Sequence, residues 1–468
     1  MTKTLSGRGV REVDAETLPP PRDMTILSGR PGQYILRPWF DRVTIRWVTR
    51  VFFPLSRAWA AARGAQGSRE AFLAQCPVNR PPKVIIDTLL DAVARADTRF
   101  HEATRAWRDL YFADMAPDAR TLSEAEAERE RAAQALMVTR AYAAPLRLAR
   151  KLPRVAFDIA DEATLTQAHG HRLGSPARAF PPPARANLRQ SHAIVSDYGR
   201  VSWLEWPSLL GDTARARVYT PTAATDPPTL IYLHGIGMEM EMWRAQADPV
   251  NALAASDGIR VIRPEGPWHG RRMRPGYHGG EPALAFAPKG YIDLIQAWVT
   301  EAAQLIQWAR ATSRGPVAIG GLSLGALTAQ IVGTAARHWP AELQPEVMFL
   351  VCTSGDMMAV SYEGAFAKGL GVSDALHRAG WDHDSLARWR GLLEPQGDPV
   401  MDPADLIMLL GSHDSVTPYK GGLALSRRWG VPRANLFVAN RGHFSTPLGL
   451  HQDDAPLRRA VERLKAAA

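Results

Sequence analysis

Residues Gly321-Leu322-Ser323-Leu324-Gly325 set a serine between two glycines, directly after the apolar run Val317-Ala318-Ile319 and directly before a helical stretch. A strand that turns sharply into a helix forces the corner residue into a strained backbone conformation, and flanking glycines remove the Cβ atoms that would clash there. Ser323 would then stand exposed at a helix N-terminus, where the peptide dipoles favour negative charge. A glycine-rich turn can also serve a phosphate, but Leu322 occupies the place where a dinucleotide loop starting at Gly320 needs its middle glycine, and the GK[ST] of a P-loop is missing. Nucleophilic attack by Ser323 fits both motif and context.

A serine hydroxyl is a poor nucleophile near neutral pH unless a base takes its proton and an acid orients that base. Two later segments supply them: Gly411-Ser412-His413-Asp414 after an apolar run at 406–410, and Arg441-Gly442-His443-Phe444 after a second at 436–439. His443 is the expected base and Asp414 its carboxylate. Asp356 is the rival acid, and His413 a weaker base because it adjoins the acid it would have to face. The tetrahedral intermediate also needs two donors for its oxyanion. One is the backbone N–H of Leu324; the other comes from the loop His234-Gly235-Ile236-Gly237, with Ile236 first and Gly237 next.

These residues have to be carried by a sheet. After residue 190 short β-rich runs alternate with helical stretches, the pattern of βαβ units and a parallel sheet. Strands are expected at 200–206 and 214–219 as an antiparallel pair, then at 229–233, 259–263, 316–319, 346–351, 405–410 and 435–439. Helices are expected at 243–255, at 291–310 and from Leu324. Ser323, Asp414 and His443 each follow a strand and so fall at the C-terminal edge of the sheet, where sites of open α/β sheets collect. Residues 355–401 are too many for a tight connection and read as an inserted cap.

With these motifs in view, the chain from about residue 195 to its end resembles the serine esterases and lipases of the α/β-hydrolase fold. The HG loop at His234, the GxSxG turn at Ser323, the GxxD ahead of Val416-Thr417-Pro418 and the Gly442-His443 pair follow in that family's order. The resemblance implies an α/β architecture with a mainly parallel sheet of about eight strands and helices on both faces. It also implies a Ser-His-Asp triad, no cofactor, and hydrolysis of a small-molecule carboxylic ester through an acyl-enzyme. An acyltransferase, amidase or thioesterase uses the same machinery, and a non-catalytic membrane-associated scaffold could keep the fold. An aspartate in place of Ser323 would instead mark a dehalogenase or an epoxide hydrolase.

Two segments depart from that pattern. Residues 266–272 and 277–280 form an enlarged loop rich in Trp, His and Arg, in which Trp268 and Arg271, or Arg272, either line the pocket and pair an anionic substrate group or simply pack the loop. His269 and His278 lack a carboxylate at matching spacing, so no metal site is expected. Met238 opens a methionine-rich stretch, 238–243, that suits a flexible acyl pocket beside Gly235 and Gly237 or packs the next helix.

Residues 1–190 read as a mostly helical extension, with helices around 40–63 (broken near Pro54), 83–113 and 121–150, and a proline-rich linker at 180–184. The net charge of +9 sits there: 30 Lys+Arg against 20 Asp+Glu up to residue 190, and 26 against 27 in 191–468. Along 40–63, Arg42, Arg46 and Arg50 flank an apolar row of Val43, Trp47 and Val51. This basic amphipathic helix either packs on the hydrolase domain or lies on an anionic membrane surface. No compact basic run or recognised motif points to nucleic acid. Two distant cysteines, Cys76 and Cys352, no signal-peptide pattern and no apolar run of membrane-spanning length lead to the expectation of a cytoplasmic protein.

Overall fold

The computed structural model describes residues 29–79, 82–149, 151–238 and 248–467. Residues 1–28 and positions 239–243 of the methionine-rich stretch lie outside the described residues.

Strands β1 (Arg189–Gln190), β2 (Ile194–Ser196), β3 (Gly199–Pro207) and β4 (Thr213–Thr220) pair antiparallel at one side of the sheet. They join β5 (Thr229–Leu233), β6 (Arg260–Pro264), β7 (Val317–Leu322), β8 (Val347–Val351), β9 (Leu406–Gly411) and β10 (Leu436–Ala439) in a ten-stranded sheet. Its order is β1-β3-β4-β6-β5-β7-β8-β9-β10, with β2 also on β3, and from β6 to β10 every pairing is parallel. The two strands beyond the eight implied by the family are β1 and β2, of two and three residues, too short to leave a period in the sequence.

Every residue of β5 through β9 is buried. Uninterrupted apolar runs are what a strand needs when helices cover both its faces. Along β5 the side chains alternate between two cores: Ile231 and Leu233 meet the helices Lys289–Thr312 and Leu324–Ala335, whereas Leu230 and Tyr232 meet Leu253, Leu457 and Leu464 on the other face. Between β8 and β9 a segment with five short helices, from Met357–Tyr362 to Arg390–Leu393, adds Leu370, Trp381 and Trp389 to the first core.

The helices before the sheet share a core of their own around Trp59, Phe72, Leu89, Val93 and Leu136. They are also joined to both faces of the sheet: Phe53 belongs to one core and Trp107, Tyr111 and Leu122 to the other. Part of the basic excess is spent internally, as Arg57 pairs with Glu281 at 2.8 Å with both side chains sealed from solvent, and Arg108 pairs with Glu205 at 2.8 Å. The break expected near Pro54 is a π-helical turn, Val48–Phe52, between the helices Pro38–Trp47 and Phe53–Gly64. A widened turn accommodates a ring that cannot donate four residues back. The Arg50 carbonyl at that position accepts from Arg147 Nε at 2.9 Å.

Candidate active site

Ser323 sits on the corner between β7 and the helix Leu324–Ala335 with φ 55° and ψ −115°, a left-handed conformation for a non-glycine residue. Its neighbours explain the glycines. A Cβ on Gly321 would lie 2.5 Å from the backbone carbon of Gly325, and one on Gly325 2.4 Å from the Leu233 carbonyl oxygen. The turn is thus wedged between its own helix and β5, and the backbone has no route that relieves residue 323. Ser323 N–H donates to the Val351 carbonyl at 3.0 Å, tying the corner to β8.

His443 Nε2 lies 3.0 Å from Ser323 Oγ, and His443 Nδ1 lies 2.8 Å from Asp414 Oδ2. All three residues are buried. Asp414 is held as a fixed acceptor: Oδ1 receives the N–H groups of Val416 at 2.9 Å and Thr417 at 3.0 Å, and the Thr417 hydroxyl stands 2.9 Å from Oδ2. Thr417 also lies 3.3 Å from His443 Nδ1, a contact visible beforehand only as the middle letter of Val416-Thr417-Pro418. The alternatives stand apart. Asp356 accepts from Ala359 N–H as the cap of the helix Met357–Tyr362, and His413 is exposed.

The loop after β5 is braced by two histidines from below. His234 Nε2 accepts the Gly266 N–H at 2.9 Å, and its Nδ1 contacts the Gly235 carbonyl at 2.8 Å. Burial pushes the His234 imidazole down to about 4, so the ring is neutral and its Nε2 stays an acceptor at ordinary pH. His269 Nε2 accepts the Gly237 N–H at 3.1 Å. That commits Gly237 to the brace, while Gly235 lies beside Ser323, a Cβ built there falling in ordinary contact, 3.5 Å, with the Ser323 Cβ. The enlarged loop at 266–272 therefore supports the loop after β5.

Its arginines are turned elsewhere. Arg271 pairs with Glu265 at 2.7 Å and lies over the rings of Trp203 and Trp107; Arg272 pairs with Glu301 and Asp212. Trp268 packs against the first core, and its carbonyl accepts from Gly280. None of the three reaches the cavity beside Ser323. His278 stands 3.6 Å from Glu281 in the buried cluster around Arg57, away from His269's partners. Cys352, Asp414 and His443 bring a thiol, a carboxylate and an imidazole within 4.8 Å, ligand types a metal accepts. Burial raises the Cys352 thiol, with the Asp414 charge adding to it, so the sulfur keeps its proton.

A cavity of about 370 Å³ opens beside Ser323 and His443. Gly235, Ile236, Gly237 and Met238 form one side; Phe40, Thr44, Trp47, Val48, Phe52 and Phe53 of the N-terminal helices form another; Phe366, Val416 and Phe444 are among the residues of the remaining wall. Asp248 reaches its edge with a carboxylate already bonded to Arg263 and the Val250 N–H. Most of the remaining lining is apolar, although Thr44, Tyr232 and His451 also bring polar atoms to it, so the space suits a largely hydrocarbon group next to the Ser323 hydroxyl. The N-terminal wall carries no motif in the sequence and could not be read from it.

Residues 230–466 match the model of the alpha/beta hydrolase family. Solved structures to which the chain is similar include a cold-adapted esterase from an Arctic intertidal metagenomic library, at 16% identity over 57% of this chain and 94% of that one with a TM-score of 0.38. Acetyl xylan esterase 1 from Thermoanaerobacterium sp. JW/SL YS485 aligns at 15% identity over 66% and 96% with a TM-score of 0.42. A Pyrobaculum calidifontis esterase aligns at 16% over 61% and 87% with a TM-score of 0.39. No curated protein matches the chain.

Proposed function

The chain belongs to the alpha/beta hydrolase family, and from that premise we propose that it hydrolyses a carboxylic ester bearing an apolar acyl group through a covalent acyl-enzyme. The observation that carries the reading is the hydrogen-bonded relay from Ser323 through His443 to Asp414, set against an apolar cavity. Ser323 Oγ attacks the ester carbonyl as His443 Nε2 takes its proton. The oxyanion receives the backbone N–H groups of Leu324 and Ile236. The intermediate collapses with His443 returning the proton to the departing alkoxide, so an alcohol leaves and the acyl group stays on Ser323. Water, deprotonated by His443, then attacks the acyl-enzyme and releases the carboxylic acid. Asp414 holds the imidazole in the tautomer that keeps Nε2 facing the serine.

In this reading residues 1–190 are a helical region that walls the cavity, 191–468 the hydrolase domain and 355–401 its cap. Both cysteines are free and buried, which fits a reducing cytoplasm. A p-nitrophenyl ester series of rising acyl length tests the proposal. Activity should rise beyond the acetyl ester and fall at least about 10³-fold in Ser323→Ala; undiminished turnover in that variant would remove the serine from the mechanism.

A second reading, peripheral contact with an anionic membrane through 40–63, is favoured by one observation. Trp39, Val43 and Trp47, spaced four apart, are 47%, 57% and 52% exposed, and Arg42, Arg46 and Arg50 beside them are exposed as well. Of the expected row, Val43 and Trp47 are thus exposed, joined by Trp39, while Val51 is half-buried, and among the described residues no helix is long and apolar enough to cross a bilayer. Sedimentation with phosphatidylcholine vesicles, with and without phosphatidylglycerol, decides this. Binding should need the anionic lipid and weaken in Arg42→Glu/Arg46→Glu, and equal recovery in the supernatant throughout would dismiss the contact.

A further inference from the structure

The loop that carries His443 is not held by the hydrolase domain alone. Asp41, on the helix Pro38–Trp47 and buried at 3% exposure, reaches it with both carboxylate oxygens. Oδ1 accepts the N–H groups of Phe444 at 2.6 Å and Ser445 at 3.1 Å; Oδ2 accepts the Gly442 N–H at 3.1 Å and the Ser445 hydroxyl. The residues gripped are those immediately before and after His443. Hydrogen bonds from backbone amides to a buried carboxylate are among the stronger ones, and three of them together with one hydroxyl bond on the same side chain fix the loop in position and orientation. The approach is close enough that a Cβ on Gly442 would lie 2.4 Å from Asp41 Cγ, which gives the glycine before His443 a reason of its own.

Local chemistry does only part of this job: the Ser445 hydroxyl accepts the Gly442 N–H at 3.0 Å and itself donates to Asp41. The short helix Ser445–Leu448 begins just after His443, and the residue at its cap position, Phe444, has no side-chain acceptor. Position 444 is used instead as part of the cavity wall. The Phe444 and Ser445 amides find their acceptor elsewhere in the fold, on a segment about 400 positions earlier in the chain. The same helix supplies Phe40, Thr44 and Trp47 to the cavity. We infer that Asp41 is a positioning residue for His443, and that the helix Pro38–Trp47 is a working part of the active site that the hydrolase domain needs for turnover.

This inference rests on the serine-hydrolase reading above, and the test separates the two. Full-length wild type, Asp41→Asn, Asp41→Ala and Arg147→Ala are compared for kcat and KM on an ester and for the rate at which a fluorophosphonate labels the protein, with thermal unfolding recorded for each. Asp41→Ala should lower kcat and the labelling rate together by about 10²-fold with KM nearly unchanged, because the imidazole loses its alignment while the cavity keeps its walls. Asp41→Asn, which keeps acceptor oxygen but loses the charge, should lose about tenfold and remain folded should the alanine variant not fold. Arg147→Ala, which removes a contact to the same helical segment without touching the loop, should keep wild-type turnover. Wild-type kcat in folded Asp41→Asn would overturn the inference, as would a loss fully accounted for by the unfolded fraction. Retention of activity in Ser323→Ala would overturn the serine-hydrolase reading itself and the positioning role with it.

Discussion

A methyl group on Gly325 would meet the Leu233 carbonyl oxygen at 2.4 Å and the His234 carbonyl oxygen at 2.6 Å. Gly325→Ala is therefore expected to cost about 1–3 kcal/mol through forced backbone movement, read as a lower denaturant midpoint, and to lose activity because the movement falls on the loop beside Ser323. His234 gives a pH dependence. Its native value of about 4 is below the ordinary 6.5, so between those values the unfolded chain binds a proton that the native state does not. Stability then rises with pH across that window, is complete above it, and drains away as pH falls from about 6.5 towards 4. His234→Gln should flatten the unfolding temperature against pH over this range; an unchanged slope would assign the acid sensitivity to other groups. The sequence exposed Ser323, His443 and Asp414 because each lies in a short motif behind a strand. Thr417 and His269 were visible as residues without a role, and Asp41 carried no signal, since its partners are distant in sequence and its own helix shows only a basic, amphipathic pattern.

At the scale of elements, strands β5 to β9 were legible as apolar runs because burial on both faces leaves no polar positions. Expected boundaries fell within a few residues of those observed: 229–233 is β5, Thr229–Leu233, and 346–351 contains β8, Val347–Val351. Strands β1 and β2 were missed because two or three residues establish no period. The helix Pro38–Trp47 shows the limit of an apolar row as a guide to packing: Val43 and Trp47 are largely exposed, while the buried side presents Asp41 to the His443 loop. Phe40, Thr44 and Trp47 of this helix bound the cavity beside Ser323, so under the proposed function the helix should set chain-length preference. Thr44→Phe is expected to reduce kcat/KM for a long-chain p-nitrophenyl ester at least about tenfold relative to the acetyl ester, since each methylene excluded from an apolar pocket is worth about 1–3 kcal/mol. An unaltered ratio would locate the acyl group elsewhere.

Over the whole molecule, the helical extension and the sheet are held together by buried contacts rather than by a tether. Arg57 joins Glu281 and the Gly276 carbonyl across that boundary, and Glu281 in turn accepts the amides of Ala156 and His278. Arg57→Met leaves a buried carboxylate without its cation and is expected to destabilise the protein by about 3–5 kcal/mol, seen in equilibrium unfolding. A change below about 1 kcal/mol, the range of exposed pairs, would mean that water reaches the cluster. The basic excess of residues 1–190 gave no hint of this arrangement, because a count of charges does not distinguish arginines facing solvent from those enclosed by carboxylates and tryptophan rings. All of these parts matter to function only if Ser323 is the nucleophile, and the intact mass of the protein after fluorophosphonate treatment tests that most directly. The account predicts one adduct per chain, mapped to the peptide containing Ser323 and absent from Ser323→Ala; folded wild-type protein that gains no mass, or gains it on another residue, would contradict it.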